Sequence, residues 1–234
     1  MTDSFPFIAA LLASMLHVIT GPDHLAAVTP FALLAKRKAW KIGLAWGLGH
    51  LFGMAIIGLL MALFSELIPV DTISNYSEQI VGLLLIGIGL WVIYKVIRPG
   101  KGHKHLHVHA NDTSVIHSHT HDHSEQPNHE HTHTKLRKQG RIAAFGIGII
   151  HGLAGLVHFF LFLPVLSFET WPESVGYIAG FSLGILIAMM AYALAIGSVA
   201  SLAKDNHNDS FFNGIRLAAG LFAIIVGIYW ILSF

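Results

Sequence analysis

Six stretches of this chain, roughly residues 5–28, 40–64, 79–97, 142–166, 174–203 and 211–233, run for about twenty residues or more with almost no charge. That property limits the fold more than any motif. Each crossing of a bilayer takes about 20 consecutive, mostly apolar residues, and in lipid the backbone must satisfy its own hydrogen bonds. The expectation is an all-α integral membrane protein with six transmembrane helices. Composition agrees, since 54% of the residues are hydrophobic and only 12% charged, with a mean hydropathy of +0.63.

Charge sets the expected orientation, because Lys and Arg concentrate in cytoplasmic loops while acids count for little. All 14 Lys and Arg fall on one side: Lys36, Arg37, Lys38 and Lys41 after the first segment, eight between Lys95 and Arg141, then Lys204 and Arg216. The opposite loops carry only the acids Asp3, Glu66, Asp71, Glu78, Glu169 and Glu173. Both termini are therefore expected outside a cell inner membrane, with the loops between the third and fourth segments in the cytoplasm. A cleaved signal peptide would open on basic residues, and this chain opens Met-Thr-Asp-Ser-Phe-Pro-Phe, so the first segment is expected to stay as a helix. A net charge of +1 spread in this way expresses topology and gives no surface for nucleic acid. With no cysteine, disulfides and thiolate metal sites are excluded.

The halves resemble each other. Gly82-Leu-Leu-Leu-Ile-Gly-Ile-Gly-Leu-Trp-Val-Ile93 aligns with Gly220-Leu-Phe-Ala-Ile-Ile-Val-Gly-Ile-Tyr-Trp-Ile231, and His17/His24 share a seven-residue spacing with His151/His158. Three helices followed by three in opposite orientation predict two inverted three-helix repeats, residues 1–97 and 141–234, joined by a His-rich loop over 98–140. Such repeats, with a site near the midplane where helices are interrupted, point to a secondary transporter.

Ionisable groups in hydrocarbon cost at least about 2.5–3.5 kcal/mol each and mark ion pathways rather than packing. Asp23 is the only carboxylate at membrane depth, and His17, His24, His50, His151 and His158 are the histidines there. Imidazole plus carboxylate is a ligand set for divalent metals. His17 and His24 would lie about 10.5 Å apart along an unbroken helix, so they share one ion only if the helix unwinds between them. Gly21-Pro22 offers a break at that place; two successive stations for one moving ion are the alternative.

Eleven of the 17 His fall in the loop, at His103, His105, His107, His109, His117, His119, His121, His123, His129, His131 and His133. With almost no apolar residue nearby, the loop is expected to be disordered without metal and to trap late first-row divalent ions.

Leu16-His-Val-Ile-Thr-Gly-Pro-Asp-His-Leu25, followed by Gly47-Leu-Gly-His50, resembles the first- and second-helix motifs of the nickel/cobalt transporters and their urease-accessory membrane relatives. The family motif places four residues before Asp-His; here five separate His17 from Asp23. His151-Gly152 is similar to an element of the urease-accessory branch. The resemblance implies transport of nickel or cobalt, with zinc possible, through Asp23, His24 and His50, and with lipid and a cytoplasmic metallochaperone as partners. Uptake is the favoured direction, since moving a divalent ion inward gains about 4.6 kcal/mol per 100 mV. Proton-coupled export and a non-transporting sensor or storage subunit are the alternatives. An enzyme is not expected, because no His-Glu-x-x-His occurs and no Glu lies at membrane depth. Oligomeric state is not legible in the chain.

Overall fold

Glycine and proline at 21–22 divide what hydropathy offers as a single first span. The computed structural model describes residues 5–64, 70–98, 103–108, 116–121, 134–154, 163–205 and 209–233. Helix α1 is Phe5–Thr20 and helix α2 is Pro22–Ala35, set at 72° to one another. Gly21 between them is extended (φ −81°, ψ 99°), and Pro22, whose missing N–H costs nothing at a first helical position, starts α2. Lys36, with a φ of 52°, closes α2 and leads through a 3-10 turn, Lys36–Lys38, into α3, Trp40–Phe64.

Helix α4 is Val70–Ile97, α5 is Thr134–Ala154, α6 is Trp171–Asp205 and α7 is Asp209–Ser233, with a 3-10 turn, Leu163–Ser167, before α6. Four helices among the described residues are long and apolar enough to cross a membrane, over Trp40–Leu60, Gln79–Ile97, Trp171–Leu202 and Ser210–Ser233, and the bent α1–α2 pair makes a fifth if it is one span. The protein is thus a multi-pass membrane protein whose candidate spans are all helical. Of the expected fourth helix over 142–166, the structure describes α5 as far as Ala154, with an apolar stretch Gly140–Ala154, and a 3-10 turn over Leu163–Ser167, while 155–162 lie outside the described residues.

The helices pair as α1 with α6, α3 with α5 and α4 with α7. Apolar surface is no driving force between helices in lipid, so contact depends on small residues that let backbones approach. A Cβ on Gly180 or Gly184 of α6 would strike the Phe7 or Leu11 carbonyl of α1. One on Gly49 or Gly53 of α3 would strike the Phe145 or Ile149 carbonyl of α5, and Gly82 and Gly89 of α4 meet the carbonyls of Gly227 and Gly220 of α7. Leu12, Leu16 and Ile19 of α1 and Leu59 and Leu63 of α3 face outward, where lipid would cover them, while the polar side chains Asp23, His24, Thr29, His50 and His151 are buried.

Between α4 and α5 the loop that composition alone leaves without structure contains two strands, β1 (His103–Val108) and β2 (Ile116–His121). They pair antiparallel, with His103 opposite His121, His105 opposite His119 and His107 opposite His117.

Candidate intramembrane histidine centre

The break at Gly21 gives the centre its shape. Asp23 and His24 occupy the first turn of α2, where the positive end of the helix dipole favours a carboxylate. A Cβ at position 21 would lie 2.5 Å from His24 Nδ1 and 3.0 Å from Asp23 Oδ1, so only glycine lets these two side chains fold back over the break. The chain's turn also carries His17 of α1 back to His24, with ring centroids 4.8 Å apart.

Asp23 joins two helices. His24 Nδ1 donates to its Oδ1 at 3.0 Å, and His151 Nε2 of α5 donates to its Oδ2 at 3.0 Å, since an ionised carboxylate can only accept. The ligand atoms of Asp23, His24 and His151 lie within 4.8 Å of one another, and all three residues are buried. A tetrahedral ion bonded at about 2.0–2.1 Å to each partner holds ligand atoms about 3.4 Å apart, so the group closes on a metal by drawing in by up to about 1.4 Å.

α3 completes the wall. His50 lies 5.3 Å from His24 and 5.5 Å from His151 by ring centroids, and Trp46, one turn earlier, stacks on His50 at 4.9 Å and 14° while touching His24 and His151 at 5.4 and 5.3 Å. Trp46, His50 and His151 are fully buried. His151 reaches the centre because Gly148 and Gly152 flank it: a Cβ on either would strike the Trp46 or the His50 carbonyl of α3.

Of the residues singled out in the sequence, the fold therefore gathers Asp23, His24, His50 and His151 in one buried cluster, with half-buried His17 at its edge. His158 and the loop residues His109, His123, His129, His131 and His133 lie outside the described residues. Trp46 went unnoticed in the sequence, although its spacing of four from His50 puts both on one face of α3. So did the bond between Thr29 of α2 and Tyr192 of α6, 2.5 Å between hydroxyl oxygens, which ties α2 to the longest helix. Thr20, whose hydroxyl bonds the Leu16 carbonyl at 2.9 Å on an exposed surface, serves its own helix.

Over residues 6–229 the chain matches the family described as the cytochrome c biogenesis protein transmembrane region. Two proteins of Arabidopsis thaliana are similar to it: chloroplast protein FOR GROWTH AND FERTILITY 1, 29% identical over 195 residues and 83% of this chain, and chloroplast protein FOR GROWTH AND FERTILITY 2, 28% identical over 222 residues and 94% of this chain. The chain spans about half the length of these relatives, 50% of the first and 54% of the second. No solved structure matches it.

These findings overturn the nickel/cobalt identification and, with it, transport of those metals in either direction. The motif misled for a physical reason. A Gly-Pro break lined by Asp and His is one general way to carry polar groups at membrane depth, so it does not by itself specify a cargo. The extra residue between His17 and Asp23 was the visible departure.

Proposed function

The chain belongs to the cytochrome c biogenesis transmembrane family, and from that premise we propose that it is a cytochrome c biogenesis-like membrane protein whose working centre is the buried Asp23–His24–His151 group, holding a divalent metal ion within the membrane. Its 234 residues contain no cysteine, so the chain has no thiol of its own to exchange, and its chemistry has to come from imidazole and carboxylate. The observation that carries the reading is one buried carboxylate bonded at 3.0 Å to imidazoles from two helices. The donor set fits a late first-row divalent ion. Bound there, such an ion supplies Lewis acidity in a low-dielectric interior. The chain's part is to hold the imidazoles: Asp23 orients both rings, Trp46 fixes His50 by stacking, and the close contact of α3 and α5 keeps lipid away.

The frame of this centre is proposed to be a pair of inverted three-helix repeats, and the docking registers support it. Gly82 and Gly89 correspond to Gly220 and Gly227, 138 positions on, and each glycine of one pair abuts a carbonyl of the other. Phe7 and Leu11, which receive Gly180 and Gly184, correspond by the same 138 positions to Phe145 and Ile149, which receive Gly49 and Gly53. On this register His151 corresponds to Ala13 and not to His17. The frame repeats; the histidines do not. The one-sided Lys and Arg support placing both termini outside and the β1–β2 ribbon in the cytoplasm.

The test is zinc content of the full-length protein in lipid nanodiscs, with cobalt(II) absorption as a reporter of ligand type. Asp23→Asn keeps the shape and removes the charge; His151→Ala removes a ligand. Loss of one zinc equivalent and of its cobalt spectrum in both variants, with helical content and elution unchanged, is the expected result. Unchanged zinc and cobalt spectra in both variants would overturn the proposal.

A further inference from the structure

Trp46, in the wall of the membrane centre, holds a donor with nothing to donate to. The residue is fully buried, and its indole Nε1 meets no hydrogen-bond acceptor among the described residues. An indole N–H can only donate. A buried one normally finds an acceptor, because leaving it unmet costs the desolvation of the group. The setting says where an acceptor belongs. The ring lies face to face with His50 at 4.9 Å and within 5.4 Å of His24 and 5.3 Å of His151 by ring centroids, so imidazoles from three helices surround one indole. Asp23 is not the missing acceptor, since its two oxygens take His24 Nδ1 and His151 Nε2, each at 3.0 Å.

We propose that the Trp46 N–H recognises a second component of the centre, a small monoanion with an oxygen acceptor, which binds beside the metal ion. The inference rests on the reading of Asp23, His24 and His151 as the group that holds the metal. Their ligand atoms gather within 4.8 Å of one another, and His50, stacked on Trp46, is not among them. A tetrahedral ion held by three protein groups keeps a fourth position for a further ligand.

Charge and acceptor chemistry then set the class of that ligand. A divalent ion beside one carboxylate and neutral imidazoles leaves one positive charge in a low-dielectric interior, where an uncompensated charge is expensive. A single negative charge removes it, whereas a dianion would leave an excess of the opposite sign. Oxygen serves the indole better than sulfur, which accepts weakly, and a hydrogen bond to an ionised acceptor is the stronger kind. The ligand is also small. Trp46, His50 and His151 are fully buried, and Gly148 and Gly152 of α5 leave no space for one methyl against the Trp46 and His50 carbonyls of α3. Hydroxide drawn from solvent and a carboxylate of the size of formate share this chemistry.

The test uses the full-length protein in nanodiscs with ¹⁵N-labelled tryptophan, which gives five indole N–H resonances, one for each tryptophan. Metal content is measured in every sample before the spectra are taken. Trp46→Phe keeps an aromatic ring against His50, removes the N–H and identifies its resonance; should that variant not fold, Trp40→Phe, Trp91→Phe, Trp171→Phe and Trp230→Phe identify it by elimination. The expected result is a downfield movement of the Trp46 resonance in the loaded centre. Movement on zinc alone assigns the ligand to solvent hydroxide; movement only when formate is added assigns it to a carboxylate. In the carboxylate case Trp46→Phe should weaken formate binding, read from the absorption of the cobalt(II) form, by about ten- to hundredfold, and sulfate at the same ionic strength should not compete. A Trp46 resonance that stays in place with zinc and with formate would overturn the proposal, and so would equal formate affinity in a centre that needs formate to move it. Failure of the native chain to take up any metal would instead defeat the metal reading itself, and this inference with it.

Discussion

The membrane centre and the β1–β2 ribbon are both built from histidine, and they place it in opposite ways. The centre takes His24, His50 and His151 from three different helices, α2, α3 and α5, and buries each almost completely beside Asp23. At that depth a polar side chain is costly unless it is partnered, so the site and the helix packing depend on each other. In the ribbon six histidines come from two short strands joined by seven residues, 109–115. Changes at the centre should therefore disturb the fold as well as binding, whereas changes in the ribbon should leave the helices as they are.

The largest effect expected is at Trp46. Trp46→Ala opens a cavity against His24, His50 and His151 and should cost about 3–5 kcal/mol of stability. Thermal denaturation in nanodiscs measures it, and zinc content should fall by the centre's equivalent. Next comes the α3–α5 contact: a methyl on Gly152 strikes the His50 carbonyl, so Gly152→Ala should cost about 1–3 kcal/mol, while Gly146→Ala on the same helix, with open space around it, should not destabilise. Equal melting of the two variants would break the argument that close backbone approach positions His151. Tyr192→Phe removes the bond to Thr29 and, judged by membrane hydrogen bonds, should cost about 0.6 kcal/mol without changing the zinc content. The smallest effect is expected in the ribbon: His105→Ala should change stability by no more than surface substitutions do, about 0.5 kcal/mol or less, as thermal denaturation measures. A ribbon variant that destabilised the helices, or a Trp46 variant that did not, would erase the contrast.

The polar residues of the centre were visible from their rarity. Asp23, His24, His50 and His151 stand out in apolar segments because each is an expensive choice there, and Gly21-Pro22 marks the turn that lets His17 and His24 meet at 4.8 Å instead of about 10.5 Å along a straight helix. Trp46 did not stand out, because a tryptophan in an apolar run costs nothing and signals nothing until the helix phase is compared with His50. The seven-residue spacing shared by His17/His24 and His151/His158 carries no information on which helix faces dock. In the ribbon the alternation of histidine was plain, and its meaning was not, since period two becomes a face only when two strands are paired in one register.

The sequence by itself determined that this protein lives in a membrane as helices, because long uncharged segments have no other stable arrangement in lipid, and it determined which side chains would be hard to bury there. The family is legible too, across residues 6–229. Which residues share one centre was decided only by tertiary structure: Asp23 of α2 and His151 of α5 are 128 positions apart and meet at 3.0 Å, and glycines at 49, 53, 148 and 152 let α3 and α5 touch backbone to backbone, which sets His50 beside His151. That contact depends on the relative rotation and height of two helices, set by packing along their whole length, and no local pattern of residues encodes it.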